Sequence, residues 1–244
     1  MKLKSILNIK KYPFYFKILK NGFFPVSYKK SYSQLGEDLI IDFIFKNLKI
    51  QKPTYLDIGT NHPIKINNTY LFYKQGSTGV CIEPNPELCK IIKNKRKKDT
   101  VLNIGIGKEE KTNIDFFMMN TDVLSTFSKE EVNYLIKNTK QTLKEIIKVP
   151  LKHIDNILQD NFNGEAPNFL SLDTEGFDFE ILKSINFKKV RPEIICVETL
   201  TYTENRTERK EIEVIDFMKE VGYFVYADTY INTIFVDKQK WLNR

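Results

Sequence analysis

The chain has 244 residues, 41% hydrophobic and 13% aromatic, which suits one well-buried domain of single-sheet type and is too short for two comfortable ones. Of its 38 basic groups eight lie in residues 1–30, which hold no acid, so the other 214 residues carry 30 basic against 31 acidic groups. That near-neutral body gives nucleic acid no basic face to bind, and no run of about 18 apolar residues is available to span a bilayer.

Residues 1–30 form a basic, aromatic arm in which Lys10, Lys11, Lys17 and Lys20 interrupt Phe14, Tyr15, Phe16, Phe23 and Phe24. Lysines at these positions break the apolar core that a secretory signal needs. Two readings stand: an interfacial segment touching anionic lipid or polyanion, and a solvated or self-packing extension. Residues 31–244 are read as the folded domain. Cytoplasm is the expected location, with the inner face of the membrane as the arm's point of contact. Cys81, Cys89 and Cys196 show no CxxC and no neighbouring histidine, and read as buried thiols.

In chain order, Leu35, Leu39, Ile40, Phe43, Ile44 and Leu48 recur at helical spacing after a start at Ser33 with Glu37 and Asp38 in the first turn. Tyr55-Leu-Asp-Ile58 is a short apolar run typical of a strand covered on both faces. It brings Asp57 to the strand end, and Gly59 to a place that needs positive φ or close backbone approach. Asn67, Asn68 and Thr69 are N-cap candidates for a helix over about 68–75. Thr78 to Glu83 is a second strand, placing Glu83 where nucleotide-binding folds hold ribose hydroxyls. Asp57 and Glu83 could equally cap neighbouring helices.

Pro86 opens a helix that runs into the basic stretch Lys93–Lys98, read as a solvated helix end. Thr100 to Gly107 is the third strand. Thr112–Met119 is an extra strand, Asp122–Phe127 a polar loop, and Ser128 caps the next helix. Val149–Lys152 is a short strand and Ile154–Phe162 a short helix. The insertion Thr112–Lys148 is expected to shape an acceptor pocket, with Ser125 and Thr126 in contact. Asn168–Asp173 and Pro192–Glu198 are the fourth and fifth strands. Arg206–Val221 is a helix turning Ile212, Ile215, Phe217 and Met218 inward, and Tyr223–Asp228 with Thr233–Asp237 form a closing hairpin. Asp57, Glu83, Asp173 and Glu198 thus share the carboxyl edge of one parallel sheet, where ligands bind.

Five blocks together resemble the FkbM family of S-adenosylmethionine-dependent methyltransferases over about residues 31–237. They are Ser33-Gln-Leu-Gly-Glu-Asp38, Asp57-Ile-Gly-Thr-Asn-His-Pro63, Asn68-Thr-Tyr-Leu-Phe-Tyr73, Cys81-Ile-Glu-Pro-Asn-Pro86 and Ser171-Leu-Asp-Thr-Glu-Gly176. The resemblance implies an α/β class I methyltransferase fold, a Rossmann-like doubly wound sheet of seven mostly parallel strands with the last reversed. It further implies that Asp57, Gly59 and Asn61 line the methionine part of S-adenosylmethionine and that Glu83 holds its ribose. Gln34 and Glu37 would close over the amino-acid end, and Asn103 and Ile104 would sit near the adenine. Asn61 departs from the usual pattern, standing where a second glycine is common.

The implied reaction is O-methylation of a sugar or macrolide hydroxyl, with a nucleotide-linked sugar or a precursor of bacterial surface (capsular) polysaccharide as acceptor. A sugar hydroxyl needs a base, and Asp173, Glu175, Glu198 and His62 are the candidates. His62 could instead cap the following helix, and His153 reads as structural. Asp173 and Glu198 could alternatively hold Mg²⁺ or Mn²⁺. Two other functions compete: a nicotinamide-dependent oxidoreductase, which would want a glycine-rich turn where only Gly59 is present, and a non-enzymatic membrane- or glycan-binding protein, which leaves the acidic edge unexplained.

Overall fold

The computed structural model describes residues 29–174, 176–201 and 208–244. The chain divides into residues 1–30 and 31–244, and the aromatic part of the arm, Glu175, Arg206 and Thr207 lie outside the described residues; the helix expected from Arg206 starts only at Ile212, because Lys210 before it bridges to Leu200. Among the described residues no helix is long and apolar enough to cross a membrane.

The main sheet has seven strands: β1 (Tyr55–Ile58), β2 (Gly79–Ile82), β3 (Thr100–Leu102), β7 (Phe169–Leu172), β8 (Ile194–Glu198), β9 (Tyr223–Asp228) and β10 (Asn232–Asp237). Their spatial order is β3-β2-β1-β7-β8-β10-β9. β10 runs antiparallel to both neighbours while β1, β2, β3, β7 and β8 pair in parallel. This is a Rossmann-like doubly wound sheet with its last strand reversed. The order turns back between β1 and β7, which opens a crevice at the carboxyl ends of those strands.

Strand periodicity decides what each face buries. Leu56 and Ile58 face a cluster with Leu170, Leu172 and Val197, covered by α5 (Ile154–Phe162), α6 (Asp178–Ser184) and α7 (Ile212–Glu220). Tyr55 faces the other way, with Phe169, Ile194 and Ile234 against α1 (Glu37–Asn47) and Phe72 of α2 (Tyr70–Lys74). Each large side chain buried there contributes about 1.5–3 kcal/mol.

Helix faces depart from the expected ones. In α1 the buried apolar residues are Ile41, Ile44 and Phe45, whereas Leu35 and Phe43 are about half exposed. The run offered two overlapping stripes, and Phe45, which meets Phe72 and Phe169 edge-on, selects between them. In α7 Val214 and Met218 are buried and Ile212 is exposed.

The expected third strand divides. β3 stays in the main sheet, Asn103 and Ile104 form the joint, and β4 (Gly105–Ile106) enters a second sheet of order β4-β6-β5. There β5 (Lys111–Met119) and β6 (Leu143–Lys152) pair antiparallel. The insertion is thus a small sheet backed by α4 (Lys129–Asn138), whose N-terminus Ser128 caps by accepting from the Glu131 N–H at 3.1 Å.

The basic run after α3 (Pro86–Lys95) is not wholly solvated. Arg96 is fully buried. Its Nε donates to Asp99 Oδ2 at 2.7 Å, its Nη2 to Thr69 Oγ1 at 2.9 Å and its Nη1 to Asn67 Oδ1 at 3.2 Å, with Asp57 Oδ2 at 3.6 Å. The guanidinium also lies over the rings of Tyr55 and Tyr73. Removing it leaves two buried carboxylates without their cation, a loss of about 3–5 kcal/mol. Arg96→Met should lower the urea midpoint accordingly, while Lys97→Met, on the exposed neighbour, should change stability by no more than about 0.5 kcal/mol.

Candidate active site

The turn after β1 is built by backbone geometry. The N–H groups of Gly59 and Thr60 both donate to the Ile82 carbonyl, at 3.0 and 3.1 Å. Gly59 has φ +79°, and a Cβ there would stand 1.7 Å from the Asp173 carbonyl oxygen. Only glycine lets the ends of β1 and β7 approach so closely. Asn61 has φ +52°, a left-handed conformation that asparagine tolerates better than other side chains. This is the physical reason it can replace a glycine.

Asn61 turns its N–H onto Glu83 Oε2 at 2.7 Å, and the Asn85 N–H donates to Oε1 at 2.8 Å. Each oxygen of Glu83 keeps acceptor capacity, and the carboxylate borders a cleft enclosing about 640 Å³, part of it open to solvent. Burial pushes the Glu83 pKa up to about 7 against the two backbone hydrogen bonds. Gly59, Asn61 and Glu83 form one side of this cleft, Ile106 and Phe116 another, and Asp122, Ser125 and Phe127 of the insertion the rim. Asp173 and Phe177 face them from the β7 side.

Asp57 lies elsewhere. It shares the strand parity of Tyr55, so its carboxylate enters the face covered by α1 and α2, where it accepts from Thr69 Oγ1 at 2.7 Å and Asn67 Nδ2 at 3.3 Å. It holds the turn from behind. Gln34 is exposed, and Glu37 is fully buried, accepting from Thr229 Oγ1 at 2.7 Å and Asn232 Nδ2 at 3.2 Å. Burial raises the Glu37 carboxyl, but these bonds and the Leu35 N–H outweigh it and leave the pKa below the usual range. Glu37 therefore fastens α1 to the β9–β10 turn.

Asn103 spends its amide on the Glu83 and Pro84 carbonyls, at 2.9 and 2.6 Å, and Ile104 packs on the main core. The cleft is bordered instead by the next two residues, Gly105 and Ile106. Thr126 is buried and accepts from the Ser128 N–H at 3.0 Å, while Ser125 borders the cleft.

His62 Nδ1 accepts from the N–H groups of Ile64 and Lys65 at 3.0 and 2.9 Å. Accepting there fixes the proton on Nε2, so His62 is a neutral turn cap with no free basic nitrogen; desolvation and Lys65 both depress its pKa. His153 likewise caps α5, accepting from the Asp155 N–H.

Asp173 and Glu198, at adjacent strand ends, share a hydrogen bond. Asp173 opens onto the cleft, yet the protein around it raises its pKa, opposed by the bond to Glu198. Among the described residues no three His, Cys, Asp or Glu side chains converge as a metal site requires. Asp178, unmarked by the sequence reading, accepts from the Thr174 N–H at 3.0 Å. Burial and the charge of Asp173 push its pKa up to about 7. Its only sequence signal is its place at the start of the helix after β7.

The Methyltransferase FkbM domain model matches residues 57–225. The chain belongs to the FkbM methyltransferase family. That match covers well over half of the chain and includes the turn, Glu83, the insertion and Asp173. No curated protein matches the chain. Among solved structures it is similar to a TehB-like SAM-dependent methyltransferase from Corynebacterium glutamicum, at 9% identity and TM-score 0.41, over 94% of this chain and 97% of that one. It is also similar to a protein described as a caffeoyl-CoA O-methyltransferase from Staphylococcus aureus, at 10% identity and TM-score 0.46, over 96% and 94%. Likenesses this loose say nothing of substrate; the architecture rests on the strand order and the family on the matched domain. Membership of this methyltransferase family displaces the oxidoreductase and non-enzymatic readings.

Glu83 and Asp178 both hold their protons more tightly folded than unfolded, with ordinary values of 4.5 and 3.8 rising to about 7. Their contribution to stability is therefore complete below the ordinary values and is lost as pH rises through about 7. Asp178→Asn should flatten this decline, recovering roughly 1–3 kcal/mol at pH 8 relative to pH 5 in urea titrations. An unchanged pH slope would show that Asp178 titrates normally.

Proposed function

We propose that this protein is an O-methyltransferase carrying the methyl group of S-adenosylmethionine to a sugar hydroxyl, either of a nucleotide-linked sugar or of a precursor of a bacterial surface polysaccharide. The observation that carries the reading is Glu83, a strand-end carboxylate held by two backbone N–H groups with its remaining acceptor capacity turned to a cleft. A ribose diol fits that arrangement. Ile82, Ile106 and Phe116 supply apolar walls for a purine, and three acids in the lining suit a cationic cofactor. Bound there, S-adenosylmethionine supplies an electrophilic methyl on sulfur.

With the cofactor bound, Asp173 would take the acceptor proton and the cofactor would supply the methyl group to the acceptor oxygen, retaining on sulfur the electron pair of its former C–S bond. The products are a methyl ether and S-adenosylhomocysteine. The raised basicity of Asp173 suits this task, and Glu198 orients it through their hydrogen bond. Ser125 reaches the same cleft from the insertion and contacts the acceptor. Glu175, one residue beyond Thr174, is the reserve base. The working location is the cytoplasm, with residues 1–30 touching the inner membrane face.

S-adenosylhomocysteine at 100 times its dissociation constant should stabilise the protein by about 2.7 kcal/mol, moving the thermal midpoint by several degrees. Glu83→Ala should abolish that shift. Asp173→Asn should keep it and lose roughly 10²–10⁴-fold in methyl transfer. A midpoint that ignores S-adenosylhomocysteine would overturn the reading.

A further inference from the structure

The charge of the cleft selects between the two acceptors, on the premise that the site is the methyltransferase site above. Its lining contains the acids Glu83, Asp122 and Asp173 and, among the described residues, no Lys, Arg or His. Two described cations outside the lining already face oxygen partners. Lys108, on the adjoining cavity, pairs with Glu180. Lys210 donates to Asp228 Oδ1 and the Tyr230 carbonyl, both at 2.7 Å.

Diphosphates are recognised by Arg or Lys forks and by helix N-termini. A diphosphate placed here would find no cationic partner in the lining among the described residues and would be set beside carboxyl groups in a partly dry site.

Three phenylalanines share the lining with these acids. Phe116 and Phe127 lie 4.8 Å apart and Phe127 meets Phe177 edge-on at 6.4 Å, and all three border the cleft. Carboxylates accept from hydroxyls, and phenyl rings take the C–H face of a sugar ring. We propose that the acceptor is an uncharged, phosphate-free glycosyl unit, its apolar face on Phe127 and Phe177 and its hydroxyls toward Asp122 and Asp173. Nucleotide-linked sugars are not substrates of this cleft. The methylated unit is therefore one from which a glycosyl-transfer reaction has already released the nucleotide, or one that never carried it.

The test uses the full chain saturated with S-adenosylhomocysteine, whose own thermal shift reports on the premise. Inorganic pyrophosphate, UDP and UDP-glucose are added up to about 10 mM, where even millimolar affinity registers. Asp122→Lys, which puts a cation on the rim, is titrated in parallel. In a second arm isotopically labelled S-adenosylmethionine is offered with methyl pyranosides and with the matching UDP-sugars. No response of the unaltered chain to the phosphates, a gain of at least about tenfold in pyrophosphate affinity for Asp122→Lys, and label only in pyranosides are the expected results. Binding of UDP-glucose by the unaltered chain, or its methylation ahead of the pyranosides, would overturn the inference while leaving the methyltransferase reading intact. Loss of the S-adenosylhomocysteine shift itself would sink that reading instead.

Discussion

The Arg96 guanidinium is the interaction on which the cleft depends. It lies on one face of the sheet with Asp99, the residue before β3, at one end and Asp57, Asn67 and Thr69 at the other. Asp99 in turn takes the hydroxyl of Tyr55 at 2.8 Å and the N–H of Gly79 at 3.0 Å. One cation thus ties β1, β2, β3 and the β1–α2 loop together. Charges this deeply buried are tolerable only when every donor finds an acceptor. The tie determines where residues 59–69 run, and so where Asn61 presents its N–H to Glu83. The chemistry of one face of the sheet is positioned by the electrostatics of the other.

What the sequence revealed and hid follows from strand parity. Short apolar runs, turn residues and hairpin spacing located all seven strands of the main sheet. The four strand-end acids looked equivalent, but they are not. Glu83 and Asp173 stand one residue beyond their strands, free of the pleat, and turn into the cleft. Asp57 is inside β1, where alternation commits it to the side of Tyr55. Glu198, the last residue of β8, reaches the site only through Asp173.

Arg96 was invisible for a different reason. A lone arginine among Lys93, Lys95, Lys97 and Lys98 carries the same charge as its neighbours, and only the fold reveals which of them meets buried carboxylates. His62 and Asn103 sat beside the right turns, yet their side chains are spent on local backbone groups. Proximity in sequence to a cofactor turn says little about direction. The split of the third strand at Asn103–Ile104 also escaped, because a two-residue joint leaves no compositional trace.

The contact between Gly59 and the Asp173 carbonyl has a mechanical consequence. With no side chain between them, the turn after β1 and the end of β7 cannot move independently. Any adjustment to a differently shaped acceptor falls to the three-stranded sheet across the cleft, hung on the short joint after β3. One half of the site is an anvil and the other is interchangeable. Such a division lets a lineage rewrite the insertion while the spacing of the two strand ends stays as it was.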